Sequence, residues 1–223
     1  MPRIASDENW IGQLPPAVQA AIAARMVYSE LPAGAEVTVS GAPSVGIHQV
    51  IRGYVKVSGL YPDGRHSFVT LYGPGNCFNE TAVVGSRPYH HGKVTLTEAV
   101  VACLPTDDFW ALYQAHPEIP EALCRKFANA IGRQIQSREI RATHKLRKLV
   151  AMLFETLAER CAETRTPNSC VIAVPISQSD IGDRFDVTRQ SIQREITALK
   201  SAGILDKQGG RWIVRDLARL GSV

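Results

Sequence analysis

Nowhere in this chain do 18 or so apolar residues follow one another, the length a helix needs to cross a bilayer, so no membrane partner is expected. The charged, then apolar, then small-residue order of a secretion leader is also missing, and a soluble cytoplasmic protein is the expectation. Cysteine is sparse: Cys77, Cys103, Cys124, Cys161 and Cys170 are scattered and odd in number, which argues against a disulfide framework. No two of them have Cys-x-x-Cys spacing, so a zinc site is not expected. Nucleophile elbows, phosphate loops and paired carboxylates are lacking too, which argues against an enzyme. Charge of one sign is scarce in the first part of the chain. Residues 1–143 hold 12 Lys and Arg against 12 Asp and Glu, whereas residues 144–223 hold 13 against 9. All of the net +4 is therefore C-terminal. A positive field confined to one part points to a polyanion as that part's partner.

After Pro15-Pro16 a short amphipathic helix is predicted around Ala17 to Met26. From Ala35 to Pro105 the chain breaks into short runs rich in Val, Ile, Thr and Tyr: Glu36 to Val39, Ile47 to Ile51, Tyr54 to Val57 and Phe68 to Tyr72. Turn signals separate them, namely Pro32-Ala33-Gly34, Arg52-Gly53, Pro62-Asp63-Gly64 and Gly73-Pro74-Gly75. Short strands at such spacing predict an antiparallel barrel or jelly roll. A long helix is predicted over 117–143, spanning about 40 Å at 1.5 Å per residue. Leu123, Phe127, Ala130 and Ile131 recur along it at 3-4 spacing, a stripe suited to pairing with a second copy of the chain. Beyond Gln134 the stripe turns polar through Ser137, Arg138 and Arg141. A core helix over 145–162, a loop over 163–170 and a strand from Val171 to Val174 complete this part.

The most informative stretch runs from Ser177 to Val214. Ser177 and Asp180 have capping-box spacing and begin a short helix. Asp186, a short side chain that tolerates left-handed backbone, predicts a tight turn, and Thr188 caps the next helix. In that helix Ile192, Ile196 and Leu199 lie on one face, and Gln190, Gln193, Arg194 and Thr197 on the other, with Arg189 at its edge. Arg can bond the O6 and N7 of guanine, and Gln the N6 and N7 of adenine, in a major groove that admits a helix. Lys200, Lys207 and Arg211 are expected to meet phosphate. Ile204 to Lys207 and Arg211 to Val214, around Gln208-Gly209-Gly210, predict a hairpin wing.

A β-roll, a long helix and a winged helix-turn-helix, in this order and at this length, resemble the Crp/Fnr superfamily of bacterial transcription regulators. The resemblance covers nearly the whole chain and is strongest over Ile176 to Leu205. There Thr188-Arg189-Gln190-Ser191-Ile192-Gln193-Arg194 matches the family's recognition helix, with Gln190 where many members have Glu. It implies an α+β fold: an N-terminal antiparallel β-roll over 1–116, a dimerisation helix over 117–143 and a DNA-binding domain over 144–223. It also implies a homodimer on a palindromic double-stranded DNA operator, with RNA polymerase and a small-molecule effector as further partners.

Ile51-Arg52-Gly53-Tyr54-Val55-Lys56-Val57 and Gly75-Asn76-Cys77-Phe78 look like the family's β-roll landmarks. Members that bind cyclic nucleotides have Gly-Glu-Leu in the pocket and an Arg-Ser pair further on, whereas this chain has Asn79-Glu80-Thr81 and His90-His91. The guanidinium fork that would clamp a phosphate is missing, so an effector other than cAMP is expected. The implied lining is Asn79, Glu80, Thr81, His90 and His91 with Arg133 and Gln134, and a small acid or phenol would suit such donors. A haem-based gas or redox sensor is the alternative within the family, with Pro2, Cys77, His90 and His91 as candidate ligands. A metal-dependent barrel enzyme would need Glu80, His90 and His91 at one metal, although adjacent strand residues point to opposite faces.

Overall fold

The computed structural model describes residues 8–60 and 66–223, so the Pro62-Asp63-Gly64 turn and Pro2 lie outside the described residues. The chain divides into two compact units between Arg133 and Gln134, inside the long helix.

In the first unit a single 3-10 turn, Ile11–Gln13, leads into α1 (Pro16–Ala23). Pro16 begins that helix because its fixed φ suits the first turn, where its missing N–H leaves no bond unmade. Among the described residues eight strands follow: β1 (Val27–Leu31), β2 (Glu36–Thr38), β3 (Gly46–Arg52), β4 (Val55–Leu60), β5 (His66–Tyr72), β6 (Cys77–Phe78), β7 (Gly92–Thr95) and β8 (Ala99–Pro105). They form two antiparallel four-stranded sheets, ordered β1-β8-β3-β6 and β2-β7-β4-β5. Val50, Val55, Phe78, Ala99 and Val101 come from both sheets and share one core. The short helix α2 (Glu80–Val84) follows β6.

A second core lies on the outside of the first sheet. There α1, α3 (Thr106–Ala115) and the first turns of α4 (Glu118–Thr143) bury Ile22, Phe109, Leu112, Ile119, Ala122 and Leu123 against Ile47, Cys77 and Leu104. The local sequence pattern announces neither α2 and α3 nor β1. Strand β1 carries no alternation to read, because four of its five residues are exposed and its backbone bonds to β8 hold it.

The second unit packs α5 (Leu146–Arg160) against a four-stranded sheet ordered β11-β12-β10-β9. Its elements are β9 (Ala162–Arg165), β10 (Cys170–Ile172), α6 (Gln178–Phe185), α7 (Arg189–Ser201), β11 (Leu205–Gln208), β12 (Arg211–Val214) and α8 (Leu217–Gly221). The expected loop 163–170 is corrected to a hairpin. Its first residues pair with β10, and a turn closes it as Thr166 N donates to Ser169 O over 2.8 Å. The pattern hid this because Glu163, Thr164 and Arg165 are all exposed.

Candidate nucleic-acid interface and sensor interior

Helix α6 starts as the sequence implies. Asp180 N donates to Ser177 Oγ at 3.0 Å, and Ser177 N donates to Asp180 Oδ2 at 2.9 Å. Asp186 ends it in left-handed backbone, φ 56°. Val187 N then returns to Gly182 O at 3.0 Å, which satisfies a carbonyl left open at the helix end. Gly182 is a residue that sequence reasoning missed. A Cβ on it would stand 2.8 Å from Val187 O, so only glycine lets the second helix follow this closely.

Thr188 caps α7, its Oγ1 accepting from Ser191 N at 3.2 Å. Ile192, Ile196 and Leu199 are buried, which turns Arg189, Gln190, Gln193, Arg194, Thr197 and Lys200 to the surface. Ser191 is half-buried with its hydroxyl 3.1 Å from that of Thr188, so it belongs to the cap more than to the outer face. On the inner side Arg147 Nε donates to Glu195 Oε2 at 2.7 Å and ties α7 to α5. Ile204 N bonds Leu199 O at 3.0 Å and Gly203 N bonds Lys200 O at 2.9 Å, closing the helix before the wing.

The wing is a two-residue hairpin in which Gln208 faces Arg211. Gly209 and Gly210 have φ of 55° and 81°, the pair of positive values that a type I′ turn demands. Trp212 anchors it: the ring is buried edge-on against Phe154, and Nε1 donates to Ile176 O at 2.7 Å. Lys207 Nζ lies 4.6 Å from the centre of that same indole, Arg211 pairs with Glu163, and Lys200 stands 3.9 Å from Asp206. These three cations are exposed, so their pairs are weak and open to exchange for phosphate. Arg189 and Arg194 are exposed as well.

The expected effector residues do not share one surface. Thr81 and His90 are exposed, His91 is half-buried with its ring 5.8 Å from that of His90, Arg133 is half-buried, and Gln134 is exposed. Asn79 and Glu80 are buried. Glu80, expected in the effector lining, sits at the centre of an internal network. Its Oε1 accepts from Lys126 Nζ at 2.6 Å and from Trp10 Nε1 at 2.9 Å, and Lys126 also donates to Cys77 O at 2.6 Å. This ion pair ties α4 to α2. The signal for it was legible: Lys126 falls on the stripe of Ile119, Ala122 and Leu123, where a lysine needs a buried partner.

Beside it, the His48 ring stacks on Phe78 at 5.3 Å and Phe78 on Tyr72 at 5.1 Å. Asn79 Nδ2 lies 3.1 Å from His48 Nδ1, and burial pushes His48 down to about 4. Burial also pushes the Cys77 thiol up to about 12, which disfavours the thiolate a haem would need, while His90 stands on the surface. Glu80, His90 and His91 are likewise not gathered for a metal. Among the described residues no group of three or more His, Cys, Asp and Glu could hold one.

Helix α4 revises the predicted stripe. Leu123 is 3% exposed inside the first unit's core, and Phe127 packs against that core, so Leu123 is not free to meet another chain. Ala130 is half-buried. The exposed apolar residues are Ile131 at 63% and Ile135 at 56%, in line with exposed Cys124, Ala128 and Ala142. At about 100° per residue this stripe is turned by roughly a quarter circle from Leu123 and continues past Gln134.

A β-roll, a long helix and a winged helix-turn-helix with a polar outer face define a class of protein: a β-roll domain joined to a helix-turn-helix domain of the kind that binds DNA. Two family profiles agree: the cyclic nucleotide-binding domain matches residues 28–116 and the Crp-like helix-turn-helix domain matches residues 147–223. The chain is 23% identical over 205 residues to the CRP-like cAMP-activated global transcriptional regulator of Mycobacterium tuberculosis, covering 92% of this chain and 91% of that one. Among solved structures it is similar to FixK2 from Bradyrhizobium japonicum, with a TM-score of 0.75 at 18% identity, over 88% of this chain and 96% of that one. It is also similar to a CRP-family transcriptional regulator from Thermus thermophilus, with a TM-score of 0.69 at 25% identity, over 87% and 95%. The chain belongs to the Crp/Fnr superfamily and is a transcription regulator, not an enzyme.

Proposed function

We propose that this regulator acts in the cytoplasm as a homodimer whose two α7 helices read an inverted-repeat operator. The observation that carries the reading is the outer face of α7. Arg189, Gln190, Gln193, Arg194 and Thr197 are exposed opposite buried Ile192, Ile196 and Leu199. Long polar side chains on a helix held by its opposite face suit the base edges of a major groove. Lys200, Lys207 and Arg211 flank that face and meet phosphate. The exposed stripe of α4 supports pairing with a second copy, and an encounter with polymerase follows from the family. For the effector we favour a molecule other than cAMP. Its phosphate clamp is replaced by His90-His91, and the Glu80 carboxylate is held by Lys126 and Trp10. Selection from a random DNA pool tests the operator: an inverted repeat with half-site centres about 34 Å apart is expected. Enrichment of a single half-site, or of no sequence, would refute the dimeric reading.

A further inference from the structure

Among the buried side chains of the first unit's described residues, two ammonium groups, Lys93 and Lys126, stand against one carboxylate, Glu80. Glu80 answers Lys126, with both side chains almost fully buried. A second buried ammonium, Lys93 on β7, is 6% exposed. Its Nζ donates to His91 O at 2.9 Å and lies 5.5 Å from the centre of the Tyr89 ring, and among the described residues it has no carboxylate within ion-pair distance. His48 can supply no negative charge in either form, and burial keeps it neutral at pH 7. Thr38 stands opposite Lys93 beside a β-bulge in the pairing of β2 and β7, and both side chains are buried. Its Oγ1 is buried and has no hydrogen-bond partner among the described residues. The Glu80 carboxylate reaches Lys93 only at a distance while it is bonded to Lys126. An ammonium without an ion-pair partner and a hydroxyl without a hydrogen-bond partner, in a dry interior, are each unfavourable until something supplies a negative acceptor.

We propose that the β-roll binds a small organic anion whose oxyanion head sits on the Lys93 ammonium and the Thr38 hydroxyl beside the Tyr89 ring. This rests on the reading of the roll as an effector domain, and it moves the anchoring charge away from His90, His91 and Arg133. Carboxylate and phosphate heads share the required chemistry. Melting of the full-length protein tests it with sodium acetate, sodium benzoate and inorganic phosphate, each against sodium chloride at matched ionic strength. At least one oxyanion should raise the Tm beyond chloride, since a ligand that binds only the folded state stabilises it. A rise with benzoate or acetate alone assigns an organic acid, and one with phosphate alone a phosphate ester. Lys93→Met should weaken the apparent affinity at least tenfold and Thr38→Val severalfold. Lys93→Met should also melt above the ligand-free parent, because it removes a buried charge that lacks an ion-pair partner. The proposal is overturned if no oxyanion exceeds chloride, if Lys93→Met responds like the parent, or if it melts lower, which would make Lys93 structural. Operator binding, measured separately, keeps the two readings apart. A parent that binds an inverted repeat but ignores oxyanions loses this site and keeps the regulator reading, and the reverse result does the opposite.

Discussion

Arg194 and Lys207 are both exposed cations of the DNA-binding unit, yet their surroundings predict different losses. Arg194 stands mid-way along the outer face of α7, where its fork can meet one guanine. Arg194→Ala should therefore weaken operator binding by about 1 to 3 kcal/mol and relax preference at one base pair per half-site. Lys207 sits over the Trp212 ring beside the wing turn. Lys207→Ala should weaken all sequences alike and reduce the salt slope by about one unit for each phosphate no longer neutralised. Equal weakening on operator and random DNA for Arg194→Ala, read by titration at several salt concentrations, would place that side chain on the DNA backbone. His48 yields a stability prediction. Folded, it is pushed from 6.5 down to about 4, so below the ordinary value the unfolded chain binds the extra proton. Its contribution is present above about 6.5 and is lost as the pH falls towards 4, up to about 3 kcal/mol. Stability in urea unfolding across that window should fall more steeply for the parent than for His48→Gln.

The elements differ in how openly they announce themselves. Helices α6 and α7 and the wing carry their own punctuation: the Ser177 box, the Asp186 turn, the Thr188 cap and the Gly209-Gly210 loop. All of it is local chemistry, and the structure places it where the sequence predicts. Strands β1 and β9 carry none, because their exposed residues show no alternation and partner strands hold them. Gly182 is the contrasting case, a residue whose need arises from its closeness to the next turn. Gly182→Ala would press its methyl group on Val187 O and should destabilise the protein by about 1 to 3 kcal/mol. Thermal stability and operator affinity should fall together, since the same turn sets the angle at which α7 is presented. An unchanged Tm would mean that the turn yields freely.

At the scale of the whole molecule, the dimer would join two readers into one, and its seam is the testable part. Ile131→Asp places a charge on the exposed stripe of α4 without touching the first unit's core. Burying that charge in a seam should shift sedimentation towards monomer and lower operator affinity far more than half-site affinity. Cys124, exposed on the same stripe, supplies a second check: mild oxidation of the parent should link two chains through it, and Cys124→Ser should not be linked. A parent that sediments as a monomer at every concentration would end the dimeric reading.

The sequence by itself determined the order of the parts, the helix-turn-helix with its wing, and which face of α7 is polar. These follow from residues within a turn or two of one another, where periodicity, caps and turn chemistry act. Tertiary structure alone decided which apolar side chains of α4 stay exposed and how the interior charges meet. Leu123 and Ile131 look alike in a 3-4 pattern, and only the packing of α3 and β8 shows that the first is covered and the second is not. Glu80 finds Lys126 and Trp10 across 46 and 70 residues, and Lys93 finds Thr38 across paired strands. No local pattern encodes such meetings. They are set by which surfaces the chain buries together, and in a dry interior that choice fixes which charges find an ion-pair partner and which do not.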